Sequence, residues 1–335
     1  LDIGKFLYLL VALCYDLVAK ICYLGYINMK EIFAWLFTLS VLVALIQNTN
    51  FEKNDIKSDE YVGIENNLDE AGVFSWSLKL FDDEFYPSAV SVLKKLGITR
   101  IYQNIPIDYL QQESTSAMVQ RFASEGIEVI AVIGEKEWGL PNSDKEWVYK
   151  HIDLIADYNS GIGKSNPIRK IALDVETYIC DEWNNNPKEY FKEYVFAMHN
   201  IYLYAHKVGF EVVQVIPTFY DTVDETLFKI LISSCCDEVS LMNYAKTVQV
   251  SSIEQEIELC RKSGKRVETI FETQPHSEEY SVSEKNSYFC DGLPVLESVR
   301  DKIFETYQYE NLYASYHTFE SIYSIIVFIL SFPII

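Results

Sequence analysis

The sequence predicts an α/β fold, a (β/α)8 TIM barrel preceded by an N-terminal apolar signal or anchor region. Three observations predict it. From Ala71 onward a short β-rich run, a loop and a helical run recur eight times. Glycine stands just after a helical run and just before the next strand at Gly97, Gly126, Gly209 and Gly264, the expected chemistry of a helix end. The apolar run Ile171-Ala172-Leu173 stops abruptly at two carboxylates, Asp174 and Glu176, where a barrel of this kind places reactive groups.

The elements follow in chain order. Apolar segments come first, over residues 6–26 and 32–46. Residues 29–49 have the layout of a signal peptide: Met29-Lys30, an apolar stretch, then polar Gln47-Asn48-Thr49-Asn50. The rival reading is a membrane-anchoring helix or hairpin, and either one exports the remainder. Residues 1–28 contain no methionine, so an origin in upstream translation stays open beside a native segment. Residues 50–70 are polar and acidic and are expected to be a linker. The barrel is assigned to residues 71–325. Its predicted strands are 73–78, 98–104, 127–133, 168–174, 211–216, 238–243, 266–271 and 311–316. Amphipathic helices are predicted over 88–96, 114–124, 190–208 and 253–263. A doubly wound sheet is the alternative, but its Gly-rich first turn is missing, since Ser75-Trp76-Ser77 stands there. Residues 326–335 form an apolar tail, with the last barrel helix, an anchor and a truncated reading frame as its readings.

Composition narrows the function. The chain has 335 residues, 49% hydrophobic, with a formal net charge of -21. So strong an acidic excess argues against nucleic acid or an anionic membrane surface as partner. Seven cysteines form no C-x-x-C pair and no Cys/His cluster of zinc spacing, so they read as buried or free thiols; a Cys180–Cys290 bridge is conceivable. With no phosphate-binding Gly loop and no metal-ligand cluster, neither a cofactor nor a metal is expected.

The strand ends are instead rich in carboxylates, aromatics and amides, which suits carbohydrate chemistry: acids cleave the bond, aromatic faces stack on rings and amides bind hydroxyls. Asp174 and Glu176, two apart on a strand, share a face and influence each other's proton affinity. Glu176 is the candidate general acid and Asp174 its helper. Glu272, at the end of strand seven, is the candidate nucleophile or second base, about 5 Å away in a retaining enzyme or about 6.5–9.5 Å in an inverting one. Candidates for substrate binding are Tyr244, Asn243, Trp138, Trp76, Gln103, Tyr220 and His317.

At these residues the chain resembles the chitinase-type TIM-barrel glycoside hydrolases. Leu173-Asp174-Val175-Glu176 is similar to the end of their D-x-x-D-x-D-x-E motif on strand four, with Glu176 at the acid position. Leu241-Met242-Asn243-Tyr244 is similar to their Met-x-Tyr motif on strand six, whose tyrosine helps hold the substrate's acetamido group. The earlier aspartates of the first motif are Arg169 and Ala172 here, its glycine is Lys170, and the last strand ends in Tyr316-His317 rather than tryptophan. The D-x-E ending also resembles the DVE-containing lysozymes, which cut peptidoglycan. Glu272-Thr273 and the run at 316–321 resemble strand ends of secreted bacterial barrels of the same superfamily. The resemblance implies an exported or membrane-tethered glycoside hydrolase acting on an extracellular or cell-wall amino-sugar polymer. A non-catalytic carbohydrate-binding barrel at the cell surface is the alternative. A metal-dependent deacetylase lacks its Asp-His-His cluster.

Overall fold

The computed structural model describes residues 70–331, with side chains to residue 327. The expected N-terminal signal or anchor and most of the linker lie outside the described residues, as does the end of the apolar tail. Among the described residues no helix is long and apolar enough to cross a membrane.

Eight parallel strands close into a barrel in sequence order: β1 Ala71–Ser75, β2 Ile98–Asn104, β3 Glu128–Ile133, β4 Lys170–Leu173, β5 Glu211–Pro217, β6 Glu238–Met242, β7 Val267–Glu272 and β8 Leu312–His317. β8 returns to β1 with Ala314 opposite Ala71 and His317 opposite Phe74. The α-helices are α1 Tyr86–Lys95, α2 Glu113–Ser124, α3 Glu146–Ser160, α4 Asp181–Asn185, α5 Pro187–Val208, α6 Tyr220–Val223, α7 Glu225–Ser234, α8 Glu254–Ser263, α9 Leu293–Tyr307 and α10 Phe319–Ser331. Every predicted strand overlaps one of the eight. The first is displaced towards the N-terminus, because the Ser75 and Ser77 hydroxyls accept main-chain N–H groups of Ser77 and Lys79 and turn the chain into a 3-10 segment, Leu78–Phe81. Gly97, Gly126, Gly209 and Gly264 all have positive φ, which a residue with a Cβ adopts only at a cost. α10 begins at Phe319 and runs through position 325 into the apolar tail, burying Phe319, Ile322 and Ile326.

Alternation along the strands builds two cores. Ile171 and Leu173 of β4, Val212 and Ile216 of β5 and Leu241 of β6 point outward and pack under the helices. Ala172, Val213, Val215 and Ile270 point inward with Phe74, Tyr102, Ile130 and Val132 and fill the barrel's waist. One end is sealed by ions. Arg100 of β2 pairs with Glu238 of β6 and approaches Glu268 of β7 at 3.5 Å; Lys170 of β4 also pairs with Glu238, and Arg266 meets Glu268 at 2.9 Å. Gly72 leaves room for this plug, since a Cβ there would collide with Ser315, Tyr102 and Glu268. With its amino-terminal end plugged and its waist packed, the barrel carries a cavity where its strands end.

Candidate active site

Inward parity continues past the last hydrogen-bonded residue of several strands and selects which side chains reach the mouth. Ala172 points inward, so Asp174 and Glu176 do too; the Asp174 N–H still donates to Ile133 O at 3.0 Å, which keeps the chain extended there. Met242 and Tyr244 project from β6, and Ile270, Glu272 and Gln274 from β7. With Trp76 after β1 and His317 of β8 they line a cavity of about 200 Å3. Asp174, Glu176, Glu272, Tyr244, Trp76 and His317 are thereby brought together.

The same parity removes other candidates, and these expectations are corrected. Gln103 and Asn243 each occupy the opposite parity and are fully buried outside the barrel lumen. The Gln103 amide donates to Asn104 O at 2.8 Å. The Asn243 amide donates to Gln249 O and Thr269 Oγ1, and its carbonyl accepts from Ser252, so no group remains for a sugar. Tyr220 opens α6 rather than the cavity wall. It is fully buried among Trp183, Phe191 and Tyr194, because its helix turns it back under the β5 loop. Trp138 sits on a 3-10 turn after β3, nearly buried, beside a neighbouring cleft and not the carboxylate cavity.

Asp174 and Glu176 differ in surroundings. Asp174 is half-buried at the cavity wall, and its buried Oδ1 has no hydrogen-bond partner. Burial, reinforced by the neighbouring Glu176 charge and opposed by His317, raises its pKa to about 7. Asp174 therefore holds its proton to well above the ordinary carboxylate range. Glu176 instead accepts a hydrogen bond from the Tyr178 hydroxyl, whose own pKa is raised by burial and the Glu176 charge. Tyr178 escaped the sequence reading as a site residue, although its spacing of two from Glu176 carries the same parity signal. Replacing Glu176 by Gln is expected to lower the Asp174 pKa from about 7, because it removes the second-largest cause of the shift. Carboxyl-carbon NMR titration checks this; an unmoved titration would assign the whole shift to burial.

Across the mouth Glu272 is almost fully buried. Its Oε1 accepts the Gln274 N–H at 2.7 Å, and its Oε2 lies 2.9 Å from His317 Nδ1. A carboxylate there places the proton of neutral His317 on Nδ1 and leaves Nε2 as an acceptor. The His317 ring is flanked by Trp76, edge-on at 5.2 Å between centroids, and by Tyr244 at 5.9 Å. The Tyr244 hydroxyl is kept protonated by burial and by the Glu272, Asp174 and Glu176 charges. Phe74 and Val215 also line the cavity, and Tyr280, Val282 and Asn286 add a wall from the β7–α9 loop, a segment without periodicity and so without a sequence signal. Lys246 pins that loop by donating to Glu284 O at 2.8 Å and Ser287 O at 3.1 Å. Among the described residues no group of three or more His, Cys, Asp and Glu is arranged to hold a metal ion. Cys180, Cys235, Cys236 and Cys260 are buried thiols.

No family model matches the chain, and no curated protein matches it. Solved structures similar to it include catalytic domain 2 of a Group II chitinase from Ostrinia furnacalis, 9% identical with a TM-score of 0.40 over 61% of this chain and 63% of that one. The chain thus spans less than two thirds of that chitinase chain. A chitinase from Chromobacterium violaceum is 8% identical with a TM-score of 0.42 over 79% of this chain and 99% of that one. A D-psicose 3-epimerase from Clostridium cellulolyticum H10 is 11% identical with a TM-score of 0.44 over 76% and 89% of the two chains. Barrels of this architecture host many chemistries, so the architecture by itself does not fix a reaction.

Proposed function

We propose that this protein is a glycoside hydrolase that cleaves O-glycosidic bonds by carboxylate acid/base catalysis. The observation that carries the reading is the convergence of Asp174, Glu176 and the Glu272–His317 pair on one aromatic-walled cavity at the strand ends. Glu176 passes the proton of the Asp174–Glu176 pair to the glycosidic oxygen as the bond from that oxygen to the anomeric carbon breaks. The pair is left with two negative charges beside an electron-poor carbon, which they stabilise. Water adds to that carbon and gives its proton to His317 Nε2, with Glu272 holding the ring. Glu272 suits this positioning role better than that of nucleophile, because it is buried and both its oxygens are engaged. Tyr244 offers a neutral hydroxyl to the sugar, and Trp76 an indole face 40% exposed.

The substrate we infer is an amino-sugar polysaccharide outside the cell. The signal-like layout of residues 29–49 supports export, with a membrane tether as its variant. The test is a panel of aryl hexosaminides and hexosides. Release of the aryl group by the native protein and not by Asp174→Asn is expected. Saccharide binding without release by any substrate would establish the non-catalytic barrel instead, and neither binding nor release would overturn both readings.

A further inference from the structure

Acids at the two ends of the barrel meet different company. At the amino-terminal end Glu238 is paired with Arg100 and Lys170, and Glu268 with Arg266 at 2.9 Å. At the mouth Asp174, Glu176 and Glu272 line one cavity with no Lys or Arg among the residues that line it. Among the described residues none of these three acids pairs with a lysine or arginine, and Glu272 meets only the imidazole of His317. Lys246, two residues past Tyr244, is turned onto the β7–α9 loop, where it donates to Glu284 O and Ser287 O and pairs with Asp291. The mouth acids converge on one spot, since Glu272, Asp174 and Glu176 all act on the Tyr244 hydroxyl. Carboxylates gathered in a partly enclosed cavity raise one another's energy, and a cation placed among them is attracted by all of them. The aromatic faces of Trp76 and Tyr244, which flank the His317 ring, attract the same sign of charge.

We propose that the carboxylate cavity selects a hexosamine unit whose amine is free, seated as an ammonium beside Tyr244 between Glu272 and the Asp174–Glu176 pair, in preference to an N-acylated unit. This rests on the glycosidase reading and deepens it by fixing the charge of the sugar. An ammonium brings three N–H donors to oxygens that chiefly accept, among them the unpartnered Oδ1 of Asp174. Acylation removes the charge and leaves one N–H. It also adds a carbonyl oxygen, an acceptor turned towards acceptors. The reaction loses nothing by the exchange, because water supplies the nucleophile and no acyl oxygen has to reach the anomeric carbon. Glu272 offsets the repulsion between the ammonium and that electron-poor carbon.

The selection is tested with three aryl glycosides alike but for the group on carbon 2: ammonium, acetamido or hydroxyl. Hydroxyl and ammonium are close in size, so that comparison isolates charge and needs no variant. At about pH 6 the amine is protonated, and kcat/KM for its glycoside is expected to exceed each of the other two about tenfold. Equal values for ammonium and hydroxyl, or a preference for acetamido, overturn the proposal while leaving the glycosidase reading intact. Glu272→Gln keeps the side chain's shape and removes its charge. Because Glu272 also holds His317, the readout is the ammonium-to-hydroxyl ratio and not the rate. That ratio is expected to fall most of the way to one, and an unmoved ratio overturns the seat beside Glu272. Should the native protein cleave none of the three, the glycosidase reading fails, and calorimetric binding of the same three compounds decides the selection. Affinity about tenfold higher for the free amine then supports it, and equal, reversed or absent binding overturns it.

Discussion

Glu176→Gln is expected to lower kcat by about 10²–10⁴-fold on any glycoside the native protein cleaves, with the thermal midpoint nearly unchanged. Glutamine keeps the shape of the side chain and can still meet the Tyr178 hydroxyl, so the local packing survives. What it lacks is the proton for a leaving oxygen that departs poorly as an alkoxide. The loss should shrink for an activated leaving group such as a fluoride, which needs no proton, and that contrast separates a missing acid from a disturbed fold. A Glu176→Gln protein with near-normal turnover on a natural saccharide would remove Glu176 from the acid role. Activity should also fall as pH rises through the Asp174 value of about 7, because the pair then loses the proton it supplies.

Glu256→Met is expected to stabilise the protein, and by more at pH 8 than at pH 5. Glu256 lies on α8, only 1% exposed, and neither carboxylate oxygen has a hydrogen-bond partner. Burial, with Asp221 adding to it, raises the pKa from 4.5 to about 8. In the folded state the group keeps its proton up to that pH, whereas in the unfolded chain it releases it above 4.5. The folded state therefore binds more protons across this window, so its stability falls as pH rises from 4.5 to about 8 and levels off beyond. Methionine has similar volume and no proton to lose, and the advantage should grow by about 3 kcal/mol between pH 5 and pH 8. Urea unfolding at the two values measures it. A gain independent of pH would mean that Glu256 is ionised or solvated in the folded state.

How much of this could be read from the chain differs between fold and site. The eight strands were legible because each is a run of apolar and β-branched residues between loop signals, and the Gly C-caps marked where helices stopped. Asp174 and Glu176 were legible because two acids ending an apolar strand have few bland explanations. Gln103 and Asn243 misled because a strand end displays neighbours of both parities, and only the closed barrel tells lumen from helix side. Tyr220 misled because it had already left the strand. Its helix, which the loop sequence did not announce, returned it to the aromatic cluster of Trp183 and Tyr194.

Local patterning along the chain is enough for the barrel, the order of its strands and the acids of β4, since periodicity and capping act over a few residues. The coupling of Glu272 to His317, the closure of the cavity by Tyr280, Val282 and Asn286, and the close packing of Gly134 on the Asp174 main chain join segments far apart in sequence. They follow from curvature and register around a closed sheet, which bring side chains within hydrogen-bonding distance only after every strand has paired with both neighbours.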